Sequence, residues 1–351
     1  MVQACNNTAA TRLARLDGLR GLAACGVAFT YHVRALYVEG TLDTGIAAVD
    51  WFHLSGWLFV DLFFVLSGYI FAHVYLGRAL LSHGRGLADF AVARFARLYP
   101  LHLLLLLTTA LLFHDRPENS AAAFAAHLVM LQALAKPVAQ TFVGPSWSLS
   151  VEAVCYVLFA LGAAAGPRGL RLVTGFALAL ALAMILAHAA PEGPYGRDNF
   201  PRGLLGFFLG QVLWHGRARL AQVPSAALVA IALAGVTIPA TWLGAILPPA
   251  LLTFPALLLL GLRMAWLESR PLVWLGDRSY AIYLIHLPLI ELFVKLRGPL
   301  GGSTAALVLG QLTLVGTVLV LADLAFRHVE KPARGCLRDA WQQARPRRMA
   351  I

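Results

Sequence analysis

An all-α, polytopic transmembrane bundle is the fold this sequence predicts, and three observations predict it. The chain of 351 residues is 59% hydrophobic and only 13% charged, where a soluble domain carries about a quarter charged residues. Its mean hydropathy of +0.72 implies more apolar surface than one soluble core of this length can hide. The apolar residues also fall in runs near the ~20 residues that cross a bilayer, punctuated by Pro, Gly and charge clusters such as GPRGLR, PEGPYGRDN and RGPLGGS. The formal charge of +11, from 28 Lys plus Arg against 17 Asp plus Glu, reads as the positive-inside bias of membrane loops. No nucleic-acid partner is expected.

The runs place about ten spans near 18–37, 54–76, 98–114, 147–165, 171–190, 201–214, 223–241, 245–262, 273–294 and 304–326. The stretch 120–135, SAAAFAAHLVMLQALA, is short and alanine-rich. Counting it as a span would move the basic tail to the outer side. Leaving it as a short re-entrant or interfacial helix keeps Arg78, Arg85, Arg94, Arg97, Arg168, Arg171, Arg217, Arg219, Arg263, Arg270, Arg278 and the tail on one side with the N-terminus. Both termini are therefore expected in the cytoplasm. The organisation expected is a cytoplasmic segment 1–16, a membrane domain 17–330 and a basic cytoplasmic tail 331–351. Cys5, Cys25, Cys155 and Cys336 show no CxxC or metal-like spacing, so neither a disulfide framework nor a metal site is expected. The first apolar run lacks a small-residue cleavage site after it and reads as a retained span.

Ionisable residues inside spans cost about 2.5–3.5 kcal/mol each on insertion scales and normally face the bundle interior. In the first span, RLDGLRGLAACGVAFTYH carries Asp17 and Arg20 at its start and His32 near its end. Twelve helical residues rise about 18 Å, so His32 lies past the midplane. A neutral imidazole beside an aqueous cavity can take a proton from a hydroxyl. A structural histidine near the outer interface is the alternative. The second span places Asp61 within VDLFFVLSGY. At the third, Arg94 and Arg97 stand three apart on one helix face, a pattern suited to phosphates and equally to positive-inside anchoring.

The fourth span opens with GPSWSLSVEAVCY. Pro145 breaks the chain, Ser146 is placed to cap the next helix, and Trp147 reads as an interface anchor. Ser148 and Glu152 share a face. Glu152 is placed to orient a histidine, bind an acceptor hydroxyl or pair with an arginine. In the ninth span, GDRSYAIYLIHLP brings Tyr283 and His286 onto neighbouring positions of one face, with a structural role favoured for His286. Together these residues predict one polar crevice running from the basic side to His32.

The blocks LDGLRGLAA, VDLFFVLSGY (60–69), RFARLYPLH (94–102), SWSLSVEAVCY (146–156), PRGLLGFFLG (201–210), SYAIYLIHLP (279–288) and HVEKP (328–332) together resemble the integral-membrane acyltransferase family 3. Its members O-acylate sugars of bacterial envelopes, nodulation factors and some antibiotics. The resemblance runs from about residue 15 to about 335 and implies a protein of the bacterial inner membrane. It implies an acyl-CoA donor, usually acetyl-CoA, used as co-substrate with no tightly bound cofactor. It also implies a carbohydrate hydroxyl as acceptor. Arg20 and His32 resemble the family's essential arginine and histidine, Arg94 and Arg97 its donor-side pair, and Glu152 the glutamate of its SWSLSVE block. The esterase-like domain that some members append is expected to be lacking.

One spacing departs from the family, whose arginine and histidine stand one residue closer. Eleven helical steps return to about 20° from the start, whereas twelve leave the side chains about 120° apart. Either a local bulge at Gly21 or Gly26 restores the alignment, the favoured reading, or the two groups meet the cavity from different angles.

The reaction this implies has the CoA phosphates at Arg20, Arg94 and Arg97 and His32 as general base. Trp147, Ser148 and Tyr283 are candidate oxyanion donors, and Asp17, Asp61 and His286 further cavity residues. A covalent acyl-histidine route stays open. So do a flippase of a lipid-linked sugar, a non-catalytic scaffold and an acyltransferase acting on a cytoplasmic antibiotic sugar.

Overall fold

The computed structural model describes residues 13–42, 44–77, 80–81, 84–187, 199–239 and 244–344. Most of the predicted N-terminal segment with Cys5, Arg78, most of the PEGPYGRDN loop and residues 345–351 of the tail lie outside them. Among the described residues there is no strand, only an isolated bridge between Tyr37 and Leu300.

In chain order the helices are α1 (Ala14–Gly26), α2 (Ala47–Ser55), α3 (Phe59–Phe71), α4 (Gly84–Leu112), α5 (Ala121–Leu128), α6 (Lys136–Ala139), α7 (Trp147–Ala164) and α8 (Gly166–Ala187). They continue with α9 (Asn199–Leu220), α10 (Ser225–Thr237), α11 (Phe254–Gly261), α12 (Arg270–Arg297), α13 (Thr304–Ala325) and α14 (Lys331–Gln343). Among the described residues, six helical stretches are long and apolar enough to cross a membrane: Ala47–Leu76, Gly84–Leu112, Gly144–Ala164, Gly166–Ala187, Arg270–Arg297 and Thr304–Gln343. Each of the other four predicted spans also falls on helix. α10 is a shorter apolar helix, and α11 with the π-turn before it is another. α1 extends through a π-turn to a 3-10 turn ending at Leu36, and α9 bears charges at its end.

The segment at 120–135 contains no span. α5 has eight residues, a rise of about 12 Å. Its buried side is stitched into the bundle. His102 Nε2 donates to the His127 carbonyl (2.9 Å), and the His127 ring meets Thr141 Oγ1 (3.0 Å) and Ser146 Oγ (3.3 Å). Gln132 Nε2 donates to the Ser146 carbonyl (2.7 Å). Ser146 thus spends its hydroxyl on this network and makes no cap bond to α7. The network fixes the Gly144–Ser146 turn deep in the protein, where all three residues are buried.

Two tight helix pairs frame the centre. α1 lies on α12 at backbone contact distance: a β-carbon at Gly276 would stand 2.1 Å from the Asp17 carbonyl oxygen, and one at Gly21 would stand 2.7 Å from the Gly276 nitrogen. α3 lies on α9 in the same way, because a β-carbon at Gly68 or Gly210 would strike the facing carbonyl of Phe207 or Val65. Small residues allow this approach where no hydrophobic force drives helices together inside lipid. The consequence is positional: α1, which carries Arg20 and leads through the π-turn to His32, is held against α12, which carries Tyr283 and His286.

Candidate active site

The twelve-residue gap between Arg20 and His32 is resolved by a π-turn. α1 is regular to Gly26, Val27–Tyr31 form one π-helical turn, and the chain then tightens to 3-10 geometry from His32 to Leu36. The His32 N–H donates to the Val27 carbonyl, five residues back. A π-turn absorbs about one extra residue, so His32 regains the facing that an eleven-residue gap would have. Thr30 donates its hydroxyl to the Gly26 carbonyl, which supports the bulge. Gly26 is required by its neighbour, since a β-carbon there would stand 2.7 Å from the Phe59 ring.

His32 then meets His286. Its Nδ1 lies 2.8 Å from His286 Nε2, and the rings stack at 4.9 Å between centroids. His286 Nδ1 lies 3.1 Å from the Ile282 carbonyl, which can only accept. The protons follow from that end. His286 must carry its hydrogen on Nδ1, so its Nε2 accepts from His32 Nδ1–H. In neutral His32 the basic lone pair is therefore on Nε2. His286 is fully buried and sets the tautomer of its partner.

The predicted single crevice is instead two cavities. The first, of about 140 Å³, is lined by Arg20, Arg94, Arg97, Ser148, Glu152 and Tyr283 among others. The second, of about 360 Å³, is lined by Tyr31, His32, Arg34, Ala35, Gln140, Gly144, Leu287 and Glu291. Tyr283 and the Gly144–Pro145 turn stand between them. Tyr283 lines the first cavity, donates its hydroxyl to the Pro145 carbonyl (2.9 Å) and packs its ring 6.0 Å from that of His286. Ser148 Oγ donates to the same carbonyl (3.2 Å). The buried turn interrupts what the spacing of polar residues suggested was continuous.

The arginines of the first cavity are held differently. Arg20 bonds Ser279 Oγ (3.0 Å) and the Gly276 carbonyl (2.9 Å) and pairs with Asp17 (3.0 Å). Asp17 orients Arg20 rather than lining the cavity. Arg97 pairs with Glu330 (2.8 Å) and lies over the Tyr280 ring. Arg94 is walled by the rings of Phe71, Tyr75 and Tyr156, and its Nε has no hydrogen-bond partner. Glu152 meets neither a histidine nor an arginine. Its Oε1 accepts from Tyr156 (2.5 Å) and Ser67 (3.1 Å), which keeps the carboxylate at the cavity wall.

Besides Asp17, three expected cavity residues, Asp61, Trp147 and His286, line neither cavity. Asp61 is 1% exposed and pairs with Arg202 through bonds of 3.0 and 3.3 Å. Trp147 is not an interface anchor: it is 3% exposed, and its ring lies 5.6 Å from the Arg202 guanidinium, whose other face is covered by Trp57 at 4.4 Å. Asp61, Arg202 and the two tryptophans form a desolvated structural cluster. Arg116 likewise pairs with Glu291, and Arg278 with Asp323. Of the residues the sequence did not single out, Ser67, Tyr156 and Glu330 matter most. Tyr156 stands four residues after Glu152, the spacing that puts two side chains on one helix face.

These features define an integral membrane helix bundle with a polar interior approached by two separate cavities. The family model described as an acyltransferase domain matches residues 13–325, and the chain belongs to that acyltransferase family. It is 25% identical to the peptidoglycan O-acetyltransferase OatA of Listeria monocytogenes, over 91% of this chain and 55% of that protein. It is 30% identical to the acyltransferase MdmB of Streptomyces mycarofaciens, over 93% of this chain and 92% of that protein. It is 26% identical to the putative peptidoglycan O-acetyltransferase YrhL of Bacillus subtilis, over 91% and 54% respectively. The chain therefore spans about half the length of OatA and YrhL. No solved structure matches it.

Proposed function

We propose that this chain transfers an acyl group, most simply acetyl, from acyl-CoA to a hydroxyl of a carbohydrate on the far side of the bacterial inner membrane, with both of its termini in the cytoplasm. The observation that carries the reading is the His286–His32 pair, which places a basic Nε2 on a histidine lining the second cavity. The acceptor enters that cavity, where Tyr31, Arg34, Gln140 and Glu291 offer the aromatic and hydrogen-bonding groups a sugar requires. The donor enters the first cavity, its phosphates toward Arg20, Arg94 and Arg97.

The thioester carbonyl reaches the reacting hydroxyl beside Tyr283. His32 Nε2 takes the hydroxyl proton as the oxygen attacks. Tyr283 and Ser148, which both bond the Pro145 carbonyl in this structure, turn their hydroxyls to the oxyanion. The C–S bond breaks, and the imidazolium returns its proton to the leaving thiolate. This direct transfer needs no acyl-enzyme. The names of OatA and YrhL, peptidoglycan O-acetyltransferases, support a cell-surface glycan as acceptor.

The test is isotope transfer. Cells expressing the chain and given a labelled acetyl source should gain labelled O-acetyl esters on a surface glycan, read by mass spectrometry before and after mild alkali. A strain whose glycan changes its location but gains no ester would point to a flippase and end the proposal.

A further inference from the structure

The first cavity leaves most of the proposed donor unhoused. At about 140 Å³ it is well below the ~300–1,000 Å³ of pockets that enclose drug-sized ligands. It admits a thin pantetheine arm but no nucleotide. A second space of about 420 Å³ adjoins it between the start of α4 and the tail helix α14. Its walls include Tyr75, Asp89, Arg94, Arg338, Trp341 and Gln342. Arg94 lines both spaces, so the cleft opens at the point where a phosphate bound to Arg94 would leave the crevice.

The tail helix is built into this corner. The π-turn Phe326–Glu330 leads into α14, and Glu330 binds both Arg97 of the crevice and Arg334 of the helix. Arg334, Arg338 and Trp341 follow at four and then three residues, so they share one face. The indole of Trp341 donates to Asp89 Oδ1 (2.8 Å). That bond orients the ring against the cleft.

We propose that this cleft binds the adenosine diphosphate end of a CoA thioester. The adenine stacks on Trp341, and the phosphates lie between Arg94 and Arg338. The sequence tail is then part of the donor site rather than only a topogenic charge cluster. This inference rests on the acyl-CoA reading of the preceding section.

The full chain in lipid nanodiscs, titrated with CoA and with 4′-phosphopantetheine, tests it. Trp341→Ala should weaken CoA binding about tenfold or more, as loss of base stacking does elsewhere, and leave 4′-phosphopantetheine binding unchanged, whereas Arg338→Gln should weaken both. Trp341→Phe should bind CoA nearly as the unsubstituted chain does. Equal CoA affinity in all variants would overturn the cleft while leaving the donor reading intact. No CoA binding by the unsubstituted chain would overturn both. Should Trp341→Ala fail to fold, photolabelling of the unsubstituted chain with 8-azidoadenosine-CoA decides: label within α14 supports the cleft, and label confined elsewhere refutes it.

Discussion

At the scale of single residues, the account turns on which nitrogen of His32 carries a proton. The Ile282 carbonyl determines this through His286. Replacing His286 by Ala removes the acceptor that orients His32 without removing the base, so kcat should fall about 10- to 100-fold while KM for the donor stays put. Second-partner losses at metal-bound histidines are of that size. His286→Gln keeps a carbonyl oxygen to accept from Nδ1–H and should recover part of the rate. Equal kcat in the Ala variant would show that His286 is only packing.

Legibility at this scale divided by partner distance. His32 and Glu152 stood out because they are expensive inside a span. Distant partners were not legible: His286 lies 254 residues from His32 and Arg202 lies 141 from Asp61. Asp61 and Trp147 looked like cavity residues because sequence shows the cost of a buried charge but not the arginine that offsets it. Local pairs such as Glu152 and Tyr156 were legible in principle from their spacing.

At the scale of elements, the first helix carries the sharpest test. The spacing favoured a bulge near Gly21 or Gly26, and a π-turn directly follows Gly26. Deleting one residue within Val27–Tyr31 should convert the π-turn to regular helix, keep His32 on its face and retain much of the activity. Deleting one residue between Gly21 and Cys25 rotates everything beyond it by about 100° and should abolish activity. Both variants are compared at matched membrane expression. Similar losses in the two would mean the π-turn has no aligning role. The helices themselves were legible from apolar run length, and each predicted span overlaps helix within its described residues. The short helix at 121–128 was placed by charge balance, but its stitching to Ser146 and Gln132 needed tertiary contacts that periodicity does not carry.

At the scale of the whole molecule, the structure replaces one continuous crevice with two cavities that meet at Tyr283 and Pro145. On the proposed reading, the turn between the two cavities has a chemical use. Water that reached the thioester freely would compete with the acceptor hydroxyl, and it would join the two faces of the membrane. Which polar residues face which cavity depends on the buried Gly144–Ser146 turn, a feature that only the assembled bundle creates. The glycine contacts between α1 and α12 make the histidine pair rigid, as a pre-organised base requires.

The central claim is that His32 is the base for acyl transfer across this partition. The most direct measurement is acetyl transfer by purified chain in proteoliposomes, with radiolabelled acetyl-CoA outside and a surface-glycan fraction as acceptor, comparing the unsubstituted chain with His32→Ala at equal insertion. The account predicts labelled ester with the unsubstituted chain and a rate about 10²–10⁴-fold lower in the variant. Undiminished transfer by a correctly inserted His32→Ala chain would contradict it.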